Sequence, residues 1–319
     1  PAQYGRASWR APPGASVRSP ASRDVHSAKH SDRTTSVLPE MPELQALAEG
    51  LDRVLAGRRI ESAAVWQPVT LKNTEPALSD LAGKKVKRVW RRGKLLGVDA
   101  GGLSLVVHLM QAGRLGLTRR KTGRPGKTTC LDVNVEGGLL LRLRELSTER
   151  RARAYVLETE TMGEHPQLAT LGPEPVGLVP AGWRAAFGSP AARLHSALRD
   201  GHRVAGIGRC YANEIMWAAQ LAPYARTDRL PAEAWARLAA AADAVLGQAL
   251  ERARVRITTY LPNKEKRVTA AHGHHGKPCL RCGTTLERVS FVDYELVYCP
   301  ACQTGGKVYA DRRMSRLLK

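Results

Sequence analysis

Two short stretches near the end of the chain, Cys279-Leu280-Arg281-Cys282 and Cys299-Pro300-Ala301-Cys302, decide how its C-terminal part folds. Sixteen residues separate them. A Cys-x-x-Cys pair bends through a tight knuckle that aims two thiolates at one point, and two such pairs complete a tetrahedral Zn2+ site. The intervening Leu286 to Tyr298 then runs out and back as a two-stranded hairpin. Val268 to Gly306 has little apolar content to bury, so the metal stands in for a core. Four thiolates leave no open coordination position. One zinc held by Cys279, Cys282, Cys299 and Cys302 is therefore expected to be structural. Cys130 and Cys210, the other two of six cysteines, read as buried free thiols.

Upstream of the cysteines the pattern is helical, with apolar residues at helical spacing over Trp183 to Ala186, Arg193 to Arg199, Tyr211 to Leu221 and the alanine-rich Ala232 to Arg254. Between two of these helices stands Val204-Ala-Gly206-Ile-Gly208-Arg209-Cys210-Tyr211-Ala-Asn213-Glu214. Gly206 and Gly208 permit a tight turn whose N–H groups, with the start of the next helix, point at an anion. Further upstream the texture changes. Short apolar runs punctuated by glycine and aspartate, among them Leu95 to Val98, Leu103 to Leu109, Leu131 to Val135 and Leu139 to Leu143, predict an antiparallel β-sandwich. Before the strands, Leu44, Leu47, Leu51, Val54 and Leu55 predict a helix opening at Met41-Pro42-Glu43 and stopping at Gly57. Residues 1–40 hold seven serines and five prolines with almost no large apolar residue, and are expected to be a disordered extension. The expected organisation is thus α+β and multi-domain: extension 1–40, sandwich 41–165, helical domain 166–265, zinc hairpin 266–306 and basic tail 307–319.

The charge balance narrows the function. Fifty Lys and Arg face 29 Asp and Glu, a net +21, which points to a polyanionic partner, nucleic acid ahead of a membrane surface. No run of 18 apolar residues exists, which excludes a transmembrane helix. The first 30 residues carry no signal-peptide core, and secretion is not expected. Lys84, Lys85, Lys87, Arg88, Arg91, Arg92 and Lys94 fall within eleven positions that contain no acid. Basic residues recur at Arg114 to Lys127 and Arg142 to Arg153, which predicts a phosphate-tracking surface. Met41-Pro42-Glu43 has two possible meanings. Pro then Glu is a common way to open a helix. If translation starts at Met41 and the methionine is removed, Pro42 instead becomes a secondary amine able to attack a sugar C1′, with Glu43 beside it to move protons.

Taken together, Met41-Pro-Glu-Leu44, Arg91-Arg-Gly-Lys94, His108-Leu109 with Gly113-Arg-Leu115, Leu171-Gly-Pro-Glu-Pro175, Gly206-Ile-Gly208 with Tyr211-Ala-Asn-Glu214, and Tyr298-Cys-Pro-Ala-Cys-Gln303 resemble the formamidopyrimidine-DNA glycosylase and endonuclease VIII family. The closing stretch looks like a divergent actinobacterial-type branch of it. The resemblance implies a two-sheet sandwich, a helix-two-turn-helix domain and a zinc hairpin that grips DNA. It implies a monomeric base-excision enzyme, a bifunctional glycosylase and abasic-site lyase acting on damaged or abasic DNA in the bacterial cytoplasm at the nucleoid. Pro42 would be the nucleophile, Glu43 the acid/base group and Lys94 a phosphate contact. Gly206, Gly208, Arg209 and Asn213 would also meet DNA. The alternative is a catalytically weak member that only binds damaged DNA.

Departures from the family pattern accompany the likeness. The usual opening is Met-Pro-Glu-Leu-Pro-Glu-Val, whereas Leu44 is followed by Gln45-Ala-Leu, so the second glutamate is expected to be absent. Gln111 stands for a methionine that fills the gap left by a flipped base. Arg151-Ala-Arg153 stands for an Arg-Phe-Gly wedge, and Tyr294 stands for an arginine at the hairpin tip.

Overall fold

Helix α1 (Met41–Leu55) carries Leu44, Leu47, Leu51 and Leu55 on one face, and all four are buried completely or nearly so. The computed structural model that shows this describes residues 39–120, 125–263, 267–291 and 295–309. The rest of the expected extension, residues 1–38, lies outside the described residues. Glu40, the last residue of the expected extension, is the N-cap of α1 and is itself buried.

Eight strands follow, β1 (Ile60–Val65), β2 (Val86–Arg92), β3 (Leu95–Ala100), β4 (Leu103–His108), β5 (Gly113–Arg119), β6 (Thr129–Val135), β7 (Leu139–Glu145) and β8 (Arg153–Glu158). They form two four-stranded antiparallel sheets, ordered β1-β6-β7-β5 and β2-β3-β4-β8. Leu96, Val98, Leu105 and Val107 from one sheet, and Leu131, Val133, Leu141 and Leu143 from the other, share one core with the leucines of α1. The alternation that predicted strands is thus the alternation that fills the sandwich. β3 is buried along its whole length, since its other face carries Leu95 into a second cluster with Val106 and Tyr155.

Short helices α2 (Pro166–Ala169), α3 (Pro180–Gly188) and α4 (Leu194–Arg199) lead to α5 (Arg209–Ala219) and the long α6 (Ala232–Arg256). Trp183, Phe187, Ile215, Met216, Trp235, Leu238 and Leu246 form their common core. The sandwich and the helices do not keep separate interiors. α6 gives Trp235, Leu238 and Leu246 to the helical core, while Ala253, with Ile257 and Leu261 just beyond, belongs to the sandwich core. α1 accepts that crossing through Gly50, where a Cβ would lie 1.3 Å from the Thr258 carbonyl oxygen.

The zinc hairpin consists of β9 (Glu287–Ser290) and β10 (Glu295–Tyr298), with Ser290 opposite Glu295 and Glu287 opposite Tyr298, and is followed by α7 (Pro300–Thr304). Leu296 is fully buried in the helical core, and Gln303 Nε2 donates to the Leu221 carbonyl at 3.0 Å. Among the described residues no helix is long and apolar enough to cross a membrane.

Candidate active site

Where the start of α1 meets the start of α5, Pro39, Glu40, Lys94, His108, Met110, Arg199, Gly208 and Arg209 line an open cleft of about 220 Å³. Three cations and one carboxylate thus face a space that polyanions can enter. Pro42 and Glu43 do not line it. Pro42 is buried in the first turn of α1.

The two glutamates are fixed by different partners. Glu40 accepts hydrogen bonds from the Gly208 N–H, from Cys210 N at 3.0 Å and from Tyr211 N at 3.4 Å, and so caps α5 across the interface. The glycine turn was expected to aim its N–H groups at a phosphate; in this structure the Gly208 N–H is taken by the Glu40 carboxylate. Gly208 is required for that approach, because a Cβ there would sit 2.4 Å from Glu40 Cδ. Gly206 holds φ +90° and its carbonyl accepts from Met41 N at 3.1 Å. Glu43 instead accepts from Tyr211 Oη, Arg267 Nε and Arg267 Nη2, each at 2.7 Å, and from Glu40 N at 2.9 Å. Its four acceptor positions are all engaged and it is 2% exposed, so it has no freedom to carry protons to a substrate.

Lys94 reaches the cleft because the turn before it is anchored from a distance. Glu174 accepts from Arg91 Nη2 at 2.7 Å, Arg92 Nη1 at 2.8 Å and Gly93 N at 2.8 Å. This corrects the expected phosphate-tracking run: Arg91 and Arg92 are spent on Glu174, and Arg88 on Asp99 at 2.7 Å. Arg142 likewise pairs with Asp132 through two bonds of 2.7 Å, and Arg114 is buried. Burial and the charges of Arg199, Arg267 and Arg209 lower the Lys94 pKa, against the pull of Glu40. Burial likewise brings His108 down to about 4, with Lys94 and Arg153 adding to the effect, so this imidazole is neutral near pH 7.

The remaining predicted contacts scatter. Asn213 is fully buried, with Nδ2 3.0 Å from His272 Nδ1, and does not face the cleft. Glu214 beside it accepts from Ala270 N, Ala271 N and His272 N at 2.7, 3.0 and 2.7 Å, and fixes the segment leading to the hairpin. Gln111 is exposed beyond the cleft lining, while its neighbour Met110, with φ +50°, is on the wall. Arg151 is exposed and paired with Glu149 at 2.7 Å. Tyr294 lies outside the described residues. Sequence inspection missed Pro39, Glu40, Met110, Arg199 and Arg267; only the first pair left a signal, the Pro-Glu step that occurs twice, three residues apart, in Pro39-Glu40-Met41-Pro42-Glu43.

The four hairpin cysteines do converge. Their sulfurs lie within 4.8 Å of one another, with Cys282 Sγ 3.5 Å from Cys299 Sγ and 3.4 Å from Cys302 Sγ. A tetrahedral zinc with Zn–S of about 2.3 Å needs sulfurs about 3.8 Å apart, so the donor set fits. Trp217 Nε1 donates to Cys279 Sγ at 3.3 Å, tying the site to α5.

Family models match three consecutive parts of the chain: the formamidopyrimidine-DNA glycosylase N-terminal domain over residues 38–160, the H2TH domain of the same enzymes over 171–260, and the zinc finger found in FPG and IleRS over 276–305. The formamidopyrimidine-DNA glycosylase of Magnetococcus marinus is 31% identical over 280 residues, spanning 83% of this chain and 99% of that protein. The chain belongs to the formamidopyrimidine-DNA glycosylase family. The enzyme of Thiobacillus denitrificans is 33% identical over 278 residues, covering 83% of this chain and all of that one. A Lactococcus lactis Fpg mutant bound to Fapy-dG-containing DNA superposes with a TM-score of 0.74 at 24% identity, over 83% of this chain and all of that one. Lactococcus lactis Fpg with abasic-site DNA superposes with a TM-score of 0.73 at 21% identity, over 83% and 99%. The formamidopyrimidine-DNA glycosylase match starts at residue 38, ahead of both Pro-Glu steps, Pro39-Glu40 and Pro42-Glu43.

Proposed function

We propose that this protein is a base-excision DNA glycosylase with abasic-site lyase activity, acting on oxidised bases and abasic sites, and that Pro39 and Glu40, not Pro42 and Glu43, carry the chemistry. The observation that carries this is the cleft: Pro39 and Glu40 border it with Lys94, Arg199 and Arg209, while Pro42 is buried and is not among the residues that line it. The working form is one in which Pro39 bears a free secondary amine, since an acylated nitrogen has no basic lone pair. Nearby cations and the N-terminal end of α1 disfavour a further positive charge there, leaving the lone pair available.

The amine attacks C1′ of a damaged nucleoside. The C1′–N bond breaks with its electron pair going to the base, which takes a proton as it leaves. The proline nitrogen, now bonded to C1′, loses its proton, and the C1′–O4′ bond breaks with its electron pair going to O4′, which takes a proton; the C1′ iminium so formed acidifies the 2′ hydrogen, whose removal expels the 3′ phosphate, and water then hydrolyses the product from the proline. Glu40, the carboxylate beside Pro39, is the group we assign to proton transfer at the sugar. Lys94, Arg199 and Arg209 face the incoming backbone as phosphate partners. Zinc, held by Cys279, Cys282, Cys299 and Cys302, has no part in this chemistry and stabilises the hairpin. Such an enzyme works where the chromosome is, which in a bacterium is the cytoplasmic nucleoid.

Borohydride trapping on abasic DNA tests the assignment, with the adduct located by peptide mass. A chain beginning at Pro39 is expected to trap on Pro39, and chains beginning at residue 1 or at Pro42 are not. An adduct on Pro42 in the Pro42-initiated chain, or on Lys94 in all three, would move the nucleophile.

A further inference from the structure

Arg267 stands on the segment that joins α6 to the zinc hairpin, and its side chain is 7% exposed. One guanidinium serves two buried carboxylates: Nε and Nη2 hold Glu43 at 2.7 Å each, and Nη1 lies 3.3 Å from Glu40 Oε1. Its carbon sits 4.9 Å from the centre of the Tyr211 ring, whose hydroxyl donates to Glu43. Two carboxylates three residues apart, each at most 2% exposed, repel in a medium that screens poorly. We propose that Arg267 is a positioning residue for the reaction: by cancelling the Glu43 charge and bracing Glu40, it holds the Glu40 carboxylate turned toward α5 at the cleft edge.

This inference rests on the assignment of Glu40 to proton transfer. A fork is needed for it. A lysine supplies the charge but not the paired bonds that fix direction. Arg267 is not part of the cleft lining, so its removal should change chemistry and not DNA affinity. The same segment is secured independently by the three N–H groups that Glu214 accepts, so its course does not depend on Arg267.

The test uses the chain beginning at Pro39, within the compact unit that runs from Ser36 to Lys319. Single-turnover cleavage of an abasic duplex and its equilibrium binding are measured for the parent, Arg267→Met, Arg267→Lys, and Arg267→Met combined with Glu43→Gln. Arg267→Met should slow cleavage by about 100-fold, the effect of displacing a reacting group by about 1 Å, with affinity within about threefold. Arg267→Lys should recover part of the rate. Adding Glu43→Gln should also recover part of it, because the uncompensated charge is gone. Cleavage by Arg267→Met at the parent rate, or a parallel fall in rate and affinity, would overturn the role. Should Arg267→Met fail to fold, Arg267→Lys decides: slower cleavage at parent affinity supports the role, and an unchanged rate overturns it. A parent that neither cleaves nor traps overturns the glycosylase assignment and this inference together.

Discussion

Replacing Gly208 with alanine places a methyl carbon 2.4 Å from Glu40 Cδ, 2.7 Å from Oε1 and 2.8 Å from Cγ. Ordinary contact begins near 3.4 Å, so the carboxylate must retreat by about 1 Å. The backbone itself has no objection, since φ −122° and ψ −154° are extended values open to any residue. The whole effect therefore comes from crowding. Retreat breaks the bond from Gly208 N and stretches that from Cys210 N, and a hydrogen bond to a charged acceptor contributes about 1.5–3 kcal/mol. A destabilisation of about 3 kcal/mol follows, or a melting temperature lower by roughly 6 °C for a chain of this size. Thermal and urea unfolding would measure it, and trapping by the Pro39-initiated chain should slow by about 100-fold. The control is the same change in a Glu40→Ala background, where the methyl group has nothing to displace and its cost should largely vanish. A melting temperature within about 1 °C of the parent, or an equal loss in both backgrounds, would refute the crowding argument.

Chelating zinc should loosen α5 as well as the hairpin, because Leu296 sits in the helical core and Trp217 bonds to Cys279; hydrogen exchange that leaves α5 fully protected would contradict this. Lys94→Ala should reduce the salt slope of duplex binding by about one, whereas Arg92→Ala should lower stability and leave the slope alone, as salt titrations of both variants would reveal. Burial holds His108 and His272 at about 4 and His195 at about 3, below the ordinary 6.5. As pH falls below 6.5 the unfolded chain takes up these protons first, so stability complete above that pH declines toward pH 4, each histidine contributing on the order of 1–2 kcal/mol by pH 5; denaturation curves at pH 7 and 5 should differ accordingly.

The strands and helices were legible because each needs only a local pattern: leucines at helical spacing in α1, short apolar runs in β3, β4, β6 and β7, and Cys-x-x-Cys knuckles around β9 and β10. The site was legible only in part. Pro-Glu occurs twice at an interval of three, and both copies fit a helix start; what separates them is which glutamate reaches Gly208, some 170 residues further on. The basic run misled for a related reason. Whether Arg91 binds phosphate or carboxylate depends on Glu174, which no window around Arg91 contains. Arg267, preceded in sequence by Lys264, Glu265 and Lys266, carries no local sign of its two partners.

Glu40 bonds to groups as far as 227 positions later in the chain. A ribosome adding about 5–20 residues per second needs roughly 10–50 s to supply them. Throughout that interval the start of α1 has been made but has nothing to dock against. Enzymes that trim a nascent terminus therefore have their access before α5 and Arg267 arrive, and the later docking shuts that access. Under the proposed assignment of Pro39 as nucleophile, the order of synthesis thus imposes a sequence of events: an exposed amine first and a cleft-wall residue afterwards.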